Sequence, residues 1–452
     1  MRFSLCLFFV VFSLMSFASL SAEETPLSKM PARVAPDWVC EGVIYQINPR
    51  AFTPEGTLQA AEEKLPHVAE LGVTIVYLCP VFRADDDENQ QFWSPRQKAS
   101  KMNNPKNPYR MKDYYHVDEE YGTDEDLKSF VASAHKLGMR VLLDMVYLHC
   151  GPKAVFIEEH PDFVKRDENG EILNAAWAFP GLNFQSAELR EYLWKNMEYW
   201  VEEFDVDGFR LDVADGIPLD FWIEARKRLE KIRPNIAMLA EGSRPQDQLF
   251  AFDLNYGFPF SSKLRGVYDK NSPASEIRKI KETMASNNPR GARFVHYIDN
   301  HDISNDDYEN RIEKRWGEAG VDAALALIFT LDGTPMLYCG QEICDTRRHS
   351  IFGNQNGVHI HWTDAETPAA GRRISLLKKL AHLRATHPEL TRGELVWLEN
   401  SAPDDVLSFA RVLGEKRTFV AINFRNRPVA VEVEGKTLRL DPFGIAIEPS
   451  AP

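Results

Sequence analysis

Asp207-Gly208-Phe209-Arg210-Leu211-Asp212-Val213-Ala214-Asp215 has the pattern of a buried strand that ends at a polar mouth. Phe209, Leu211 and Val213 alternate with Arg210 and Asp212, and side chains two apart on a strand share a face. Arg210 and Asp212 therefore point the same way, with an apolar wall behind them. An arginine beside a carboxylate lowers its pKa by roughly 1–3 units. The stretch thus predicts an ionised Asp212, the state that a carboxylate nucleophile requires. For an isolated Arg-x-Asp a structural ion pair is the ordinary explanation. The stretch gains weight only because other carboxylates recur at matching places along the chain.

On both sides of it, strand-like and helix-like segments alternate. The strand candidates are Val43–Ile47, Val73–Leu78, Arg140–Val146, the stretch above, Ala237–Ala240, Leu249–Leu254, Arg293–Ile298 and Pro335–Tyr338. Helical spacing falls between them at Leu58–Leu71, Asp124–Leu137, Leu189–Phe204, Phe221–Ile232, Pro273–Met284 and Val321–Leu331. Gly72 and Gly138 stand where helix C-caps belong. Eight such units predict an α/β fold, a (β/α)8 TIM barrel. A doubly wound open sheet is the alternative, but no glycine-rich phosphate loop follows the first strand. Residues 149–183 lack helical period and carry the turn signal Asp167-Glu168-Asn169-Gly170, so they read as an excursion after the third strand. After a helix near Ile374–Ala385, the runs Val406–Val412, Thr418–Asn423 and Ala430–Val433 predict a small C-terminal all-β domain.

The chain has 452 residues, 44% of them hydrophobic, enough for one barrel and accessory parts. A formal charge of −14 argues against nucleic acid as a partner. Met1-Arg2, an uncharged run from Phe3 to Ala22 and small residues at its end resemble a secretory signal peptide. Residues 1–22 are therefore expected to be removed, giving a secreted or periplasmic protein without a stable membrane partner; an uncleaved anchor is the alternative. Residues 23–36, with three prolines, read as a flexible lead-in. Cys40, Cys79, Cys150, Cys339 and Cys344 would remain, an odd number that leaves at least one thiol unpaired within the chain.

Catalysis in such barrels sits at the C-terminal ends of strands. Those ends carry Asp144, Arg210 with Asp212, Glu241, and His301-Asp302, while His149 lies in the loop after the third strand. Carboxylates gathered at one mouth repel unless protonated or paired. A glycosidase has a use for them, because retaining hydrolysis needs an ionised nucleophile and a protonated acid roughly 5–5.5 Å apart.

Val141–His149, Gly208–Asp212, Ala240-Glu241-Gly242 and Ile298–Asp302 together resemble the four ordered signature regions of the α-amylase family of glycoside hydrolases (family 13). Asn107-Pro108-Tyr109, Asp113-Tyr114-Tyr115, Tyr121-Gly122-Thr123 and Gly333–Tyr338 with Gly340-Gln341-Glu342 resemble its supporting segments. The resemblance implies Asp212 as nucleophile, Glu241 as acid/base and Asp302 as stabiliser of the transition state. It implies sugar contacts from Tyr109, His149 and His301, with Arg210 holding Asp212 ionised and Asp144 organising its strand end. It also implies the division into barrel (37–148 and 184–388), a short domain B (149–183) and a C-terminal β-sandwich (389–452). The expected substrate is an α-glucan or oligosaccharide, cleaved most naturally at α-1,4 bonds. Glucan transfer or sucrose- or trehalose-type chemistry is the enzymatic alternative. A catalytically inactive binding partner is the non-enzymatic one, although such relatives lose members of the acid trio.

Two departures from the family bear on cofactors. Leu148 stands where many amylases have an asparagine, and Gly181 replaces an acid in Phe179-Pro180-Gly181-Leu182-Asn183. Both remove oxygen ligands for a structural calcium, so no metal or other cofactor is expected. Arg110, next to Tyr109, and the absence of a Lys-His pair after Asp212 leave chain-length preference open.

Overall fold

The computed structural model describes residues 25–306, 311–353 and 358–450; the expected export segment 1–22, and Cys6 with it, lies outside the described residues. Eight parallel strands close a barrel in sequence order: β1 (Ile44–Ile47), β2 (Ile75–Leu78), β3 (Arg140–Met145), β4 (Gly208–Leu211), β5 (Ala237–Ala240), β6 (Leu254–Tyr256), β7 (Phe294–Tyr297) and β8 (Thr334–Tyr338). β8 closes onto β1 through the pair Met336–Ile44.

Residue alternation gives the barrel its two faces. Ile44, Tyr77, Leu142, Leu239, Tyr256 and Met336 form the inner cluster, whereas Tyr45, Val76, Leu143, Phe209 and Met238 belong to the larger core under the helices. Asp144, two residues past Leu142, and Arg210 therefore turn inward, and the β3–β4 register sets them opposite one another. The helices close this shell by burying one stripe each. Asp124–Lys136, for example, starts in a capping box between Thr123 and Asp126 and buries Leu127, Phe130, Val131 and Ala134.

Three expectations need correction. The apolar run Leu249–Leu254 is not the sixth strand: Asp247–Phe250 forms a helical turn, and β6 begins at Leu254. Short apolar runs do not separate the two periods, and Asp247 fixes the turn by accepting hydrogen bonds from Arg244 Nε and Asn255 Nδ2. The helices Phe258–Asp269 and His301–Asp306, absent from the sequence pattern, follow β6 and β7. Residues 25–36 are no loose lead-in. Ala32 and Arg33 donate backbone hydrogen bonds to Arg290 and Gln248, and Arg33 pairs with Glu230 and the buried Asp253. Such long-range anchors leave no local signal.

The excursion after β3 is a set of short bridges, including His149–Gly181 and Asn174–Pro180, with the Asp167–Gly170 turn where expected. In the tail, β9 (Glu394–Trp397), β10 (Val406–Leu413), β11 (Lys416–Asn423) and β14 (Ile445–Pro449) form one sheet, and β12 (Val429–Val433) with β13 (Lys436–Leu440) a second. Val406, Phe419 and Ala421 of the first pack on Val429, Val431 and Leu440 of the second. Phe409, Val420 and Ile422 face the barrel's own core. Cys40, Cys79, Cys150, Cys339 and Cys344 are all free thiols.

Gly208 allows β4 and β5 to approach: a Cβ there would lie 2.2 Å from the Ala237 carbonyl oxygen. Gly208→Ala is therefore expected to lower the unfolding free energy by about 1–3 kcal/mol. Gly371→Ala, in a helix with nothing within 4 Å of the added carbon, should raise it by about 0.5–1 kcal/mol. Urea unfolding followed by circular dichroism measures both, and equal effects would contradict the packing described.

Candidate active site

Arg210 lies at the centre of the site, with its side chain fully buried at the end of β4. Its Nη1 donates to Asp144 Oδ1 at 2.7 Å and to Asp212 Oδ1 at 2.8 Å, and its Nη2 lies 2.9 Å from Glu241 Oε1. The guanidinium also sits between the rings of Tyr77, Tyr109 and Tyr256, 5.6–5.9 Å from their centroids. Three carboxylates from β3, β4 and β5 thus share one cation in a tyrosine cage. β4 and β5 are locked beside it, because Glu241 N donates to Leu211 O and Ala214 N to Glu241 O. Val213 adopts a left-handed φ of 44°, costly for a β-branched residue, and directs its N–H to Glu241 Oε2 at 2.8 Å.

A second chain of bonds fixes the histidines. Gln46 Nε2 donates to His301 Nδ1 at 2.7 Å, which leaves the His301 Nε2 proton for the Tyr109 hydroxyl at 2.8 Å. The Tyr109 hydroxyl in turn donates to Asp144 Oδ2 at 2.9 Å, and its ring stacks on His301 at 5.3 Å. His149 donates from Nε2 to the Tyr109 carbonyl at 2.8 Å. Its Nδ1 has no partner among the described residues, so it is available as an acceptor. Burial lowers the pKa of His149 to about 4 and takes that of His301 below its ordinary value.

A cavity of about 520 Å³ opens over this arrangement. Tyr109, His149, Asp212, Glu241, His301 and Asp302 all line it, so six of the eight expected residues meet in one place. Asp144 and Arg210, to which the resemblance gives supporting roles, do not line it. Both lie beneath its floor at 0% exposure, with the Asp144 oxygens taken by Arg210, Tyr77 and Tyr109. They organise the site from below. Gln46 and Arg96 are the residues that the sequence pattern missed. Gln46 was detectable as a lone polar residue in an otherwise apolar strand; Arg96 carried no signal. Of the neighbouring aromatics, Trp93 and Phe179 are buried, whereas Trp177 is 43% exposed at the cavity rim, at a left-handed φ of 62°.

The ionisation of the acids differs from expectation. Burial raises the pKa of Asp212 well above the ordinary carboxylate range, and the charge of Glu241 adds to this; Arg210 opposes both. Burial also raises Glu241, with Arg210 opposing and Asp302 assisting. The Arg-x-Asp argument considered one neighbour, while burial and the second acid outweigh it. Burial and mutual repulsion thus both favour proton uptake by the pair, with Arg210 opposing. Asp302 behaves differently: burial works against its charge, but His301, Arg96 and Arg210 take its pKa below the ordinary value.

A closed parallel barrel that gathers paired carboxylates at its strand ends in one cleft has the architecture of a barrel glycosidase. Residues 16–169 and 172–378 match the family model of the alpha amylase catalytic domain, and the chain belongs to the α-amylase family of glycoside hydrolases. A cyclomaltodextrinase from Geobacillus thermopakistaniensis is 27% identical over 460 residues, covering 89% of this chain and 73% of its own. An intracellular maltogenic amylase from Bacillus subtilis is 26% identical and covers 90% and 72%. Among solved structures, a maltogenic alpha-amylase from Thermotoga neapolitana has a TM-score of 0.77 at 27% identity, over 91% of this chain and 97% of that one.

Arg210→Met is expected to cost about 3–5 kcal/mol of stability near neutral pH, because Asp144, Asp212 and Glu241 lose their shared cation. The raised pKa values of Asp212 and Glu241 set the sign of the pH effect. Proton uptake by such groups favours the folded state below the ordinary carboxylate pKa, and that contribution is lost as pH rises through the raised values. The variant's deficit should therefore shrink on acidification. A deficit independent of pH would contradict the shared-cation account.

Proposed function

We propose that the chain hydrolyses α-1,4-glucosidic bonds in malto-oligosaccharides or starch-like glucans with retention of anomeric configuration. The observation that carries this is the single guanidinium of Arg210 contacting both Asp212 and Glu241, while those two acids share a cavity with Asp302. Asp212 receives a charge-assisted hydrogen bond from Arg210, whereas Arg210 Nη2 stands at ion-pair distance from Glu241 without a formed hydrogen bond. The reaction requires the proton on Glu241 and the negative charge on Asp212. Asp212 attacks the anomeric carbon as Glu241 protonates the departing oxygen, giving a covalent β-glycosyl ester. Glu241 then takes a proton from the incoming water, which releases the sugar and regenerates Asp212. Asp302, kept ionised, accepts hydrogen bonds from sugar hydroxyls; His149 Nδ1 offers a further acceptor and Tyr109 an aromatic face. The names of the relatives, cyclomaltodextrinase and maltogenic amylase, support the α-1,4 linkage.

Asp212→Asn is expected to lower kcat by at least about 10³-fold, and Glu241→Gln by about 10²–10⁴-fold on unactivated glucans, with thermal unfolding nearly unchanged. Glu241→Gln should retain far more activity on a fluoride leaving group, which needs no proton. Chromatography of products from maltose, longer malto-oligosaccharides, isomaltose, trehalose, sucrose and pullulan fixes the linkage. Activity on sucrose or trehalose alone, or loss of activity only in step with stability, would overturn the assignment.

We also propose that the protein holds no structural calcium at the corner between β3 and residues 180–182. Leu148 presents an apolar side chain there, and the Leu148, Pro180 and Gly181 carbonyls already accept backbone hydrogen bonds from Leu182, Cys150 and Lys165. Metal analysis of dialysed protein should find no calcium, and chelator should leave activity unchanged; one tightly held calcium contradicts this. Export rests on Met1–Ala22 alone. N-terminal sequencing of protein from the native host should begin near Glu23, and a start at Met1 would contradict cleavage of this segment.

A further inference from the structure

Four acids surround the cavity or its floor, and Arg210 contacts only three of them. Asp302 has a different cation. Arg96, from the helix Pro95–Ser100, pairs with Asp302 Oδ1 through Nη1 and with Asp306 through Nε at 2.6 Å and Nη2 at 2.8 Å. Both Arg96 and Asp302 line the 520 Å³ cavity. The partners lie 206 residues apart in the chain.

The segment that presents Arg96 is built around another arginine. Arg110, fully buried, donates from Nη1 to the Phe92 carbonyl at 2.8 Å and from Nη2 to the Asp85, Asp87 and Pro105 carbonyls at 2.8–3.0 Å. Gln97 Nε2 ties the same segment to Asn104 and Pro105, and the buried Trp93 indole donates to Asp87 O. Four carbonyls held on one guanidinium fix where the segment lies, and with it the direction of Arg96. As a stability device the pair would be weak, because partly exposed ion pairs contribute about 0–1 kcal/mol and the Arg96 side chain is 40% exposed. Its place in the cavity gives it a different use.

We propose that Arg96 is a positioning residue for the glycosidic reaction: it holds the Asp302 carboxylate in the orientation that accepts sugar hydroxyls, on a segment that Arg110 makes rigid. This rests on the role given to Asp302 above. Arg96 keeps Oδ1 engaged and turns the other oxygen, Oδ2, towards His301 Nε2, which lies 3.5 Å away. Without Arg96, Asp302 has no arginine or lysine partner among the described residues and is free to rotate away from the sugar. A misplacement of about 1 Å at such a contact costs about 100-fold in rate.

The test is a double-mutant cycle on maltotriose and a longer malto-oligosaccharide, using Arg96→Gln, Asp302→Asn, their combination and Arg96→Lys, with the thermal midpoint of each. Arg96→Gln should lose about 100-fold in kcat/KM, mainly in kcat because the contact tightens in the transition state. Arg96→Lys should recover part of it, since the charge remains while the fork is lost. In the combined variant, loss of Arg96 should add at most about 3-fold to the effect of Asp302→Asn, because it acts through that carboxylate. Multiplying effects, wild-type activity in Arg96→Gln, or a loss that follows a lowered thermal midpoint would each overturn the proposal. A wild-type protein inert on α-glucans, or a fully active Asp302→Asn, would instead overturn the functional assignment, and both controls are read before the Arg96 variants.

Discussion

Everything at the mouth of this barrel depends on burying one guanidinium among three carboxylates. Arg210 is out of reach of water and touches Asp144, Asp212 and Glu241, each from a different strand. Removing four charged groups from solvent is costly, and only close geometry repays it. The barrel supplies that geometry through register, since Asp144 stands opposite Arg210 and the end of β5 is hydrogen-bonded to the end of β4. The charge left over is the useful part: three acids against one cation favour retaining a proton, and a glycosidase needs that proton on one acid with the negative charge on the other.

The same balance separates supporting groups from reacting ones. Asp144 spends both oxygens on Arg210, Tyr77 and Tyr109 and has none left for a sugar. Gln46, His301, Tyr109 and Asp144 form a directional chain in which each donor fixes the next ring or hydroxyl. Val213 and Trp177-Ala178, near the cavity, have positive φ. Where packing over-determines such conformations they persist, and they direct an N–H at Glu241 and an indole at the rim.

Much of this was legible in the chain, for reasons that can be stated. Alternation in Phe209-Arg210-Leu211-Asp212 fixes a strand and its inward face, and short strand-like runs between helical segments located β1 to β3, β5, β7 and β8. The strand ends then name the acids. Periodicity failed at Leu249–Leu254, where a run too short to carry a period was interrupted by a turn built on buried Asp247. It was silent on Arg96, whose partner lies far along the chain, and on the anchoring of residues 25–36 through Arg33. The direction of the Asp212 pKa shift was misjudged because adjacency of Arg210 is visible in the sequence, whereas burial and the approach of Glu241 are properties of the closed barrel.

The central claim is that Asp212 is the group that bonds to the sugar while Glu241 handles the proton. Mass spectrometry of the Glu241→Gln variant after incubation with α-maltosyl fluoride tests it most directly, since that leaving group needs no acid and the next step lacks its base. The account predicts an adduct of one maltosyl unit, mapped by peptide digestion to Asp212. A maltosyl group on any other residue, or fluoride release with inversion and no adduct, would contradict it.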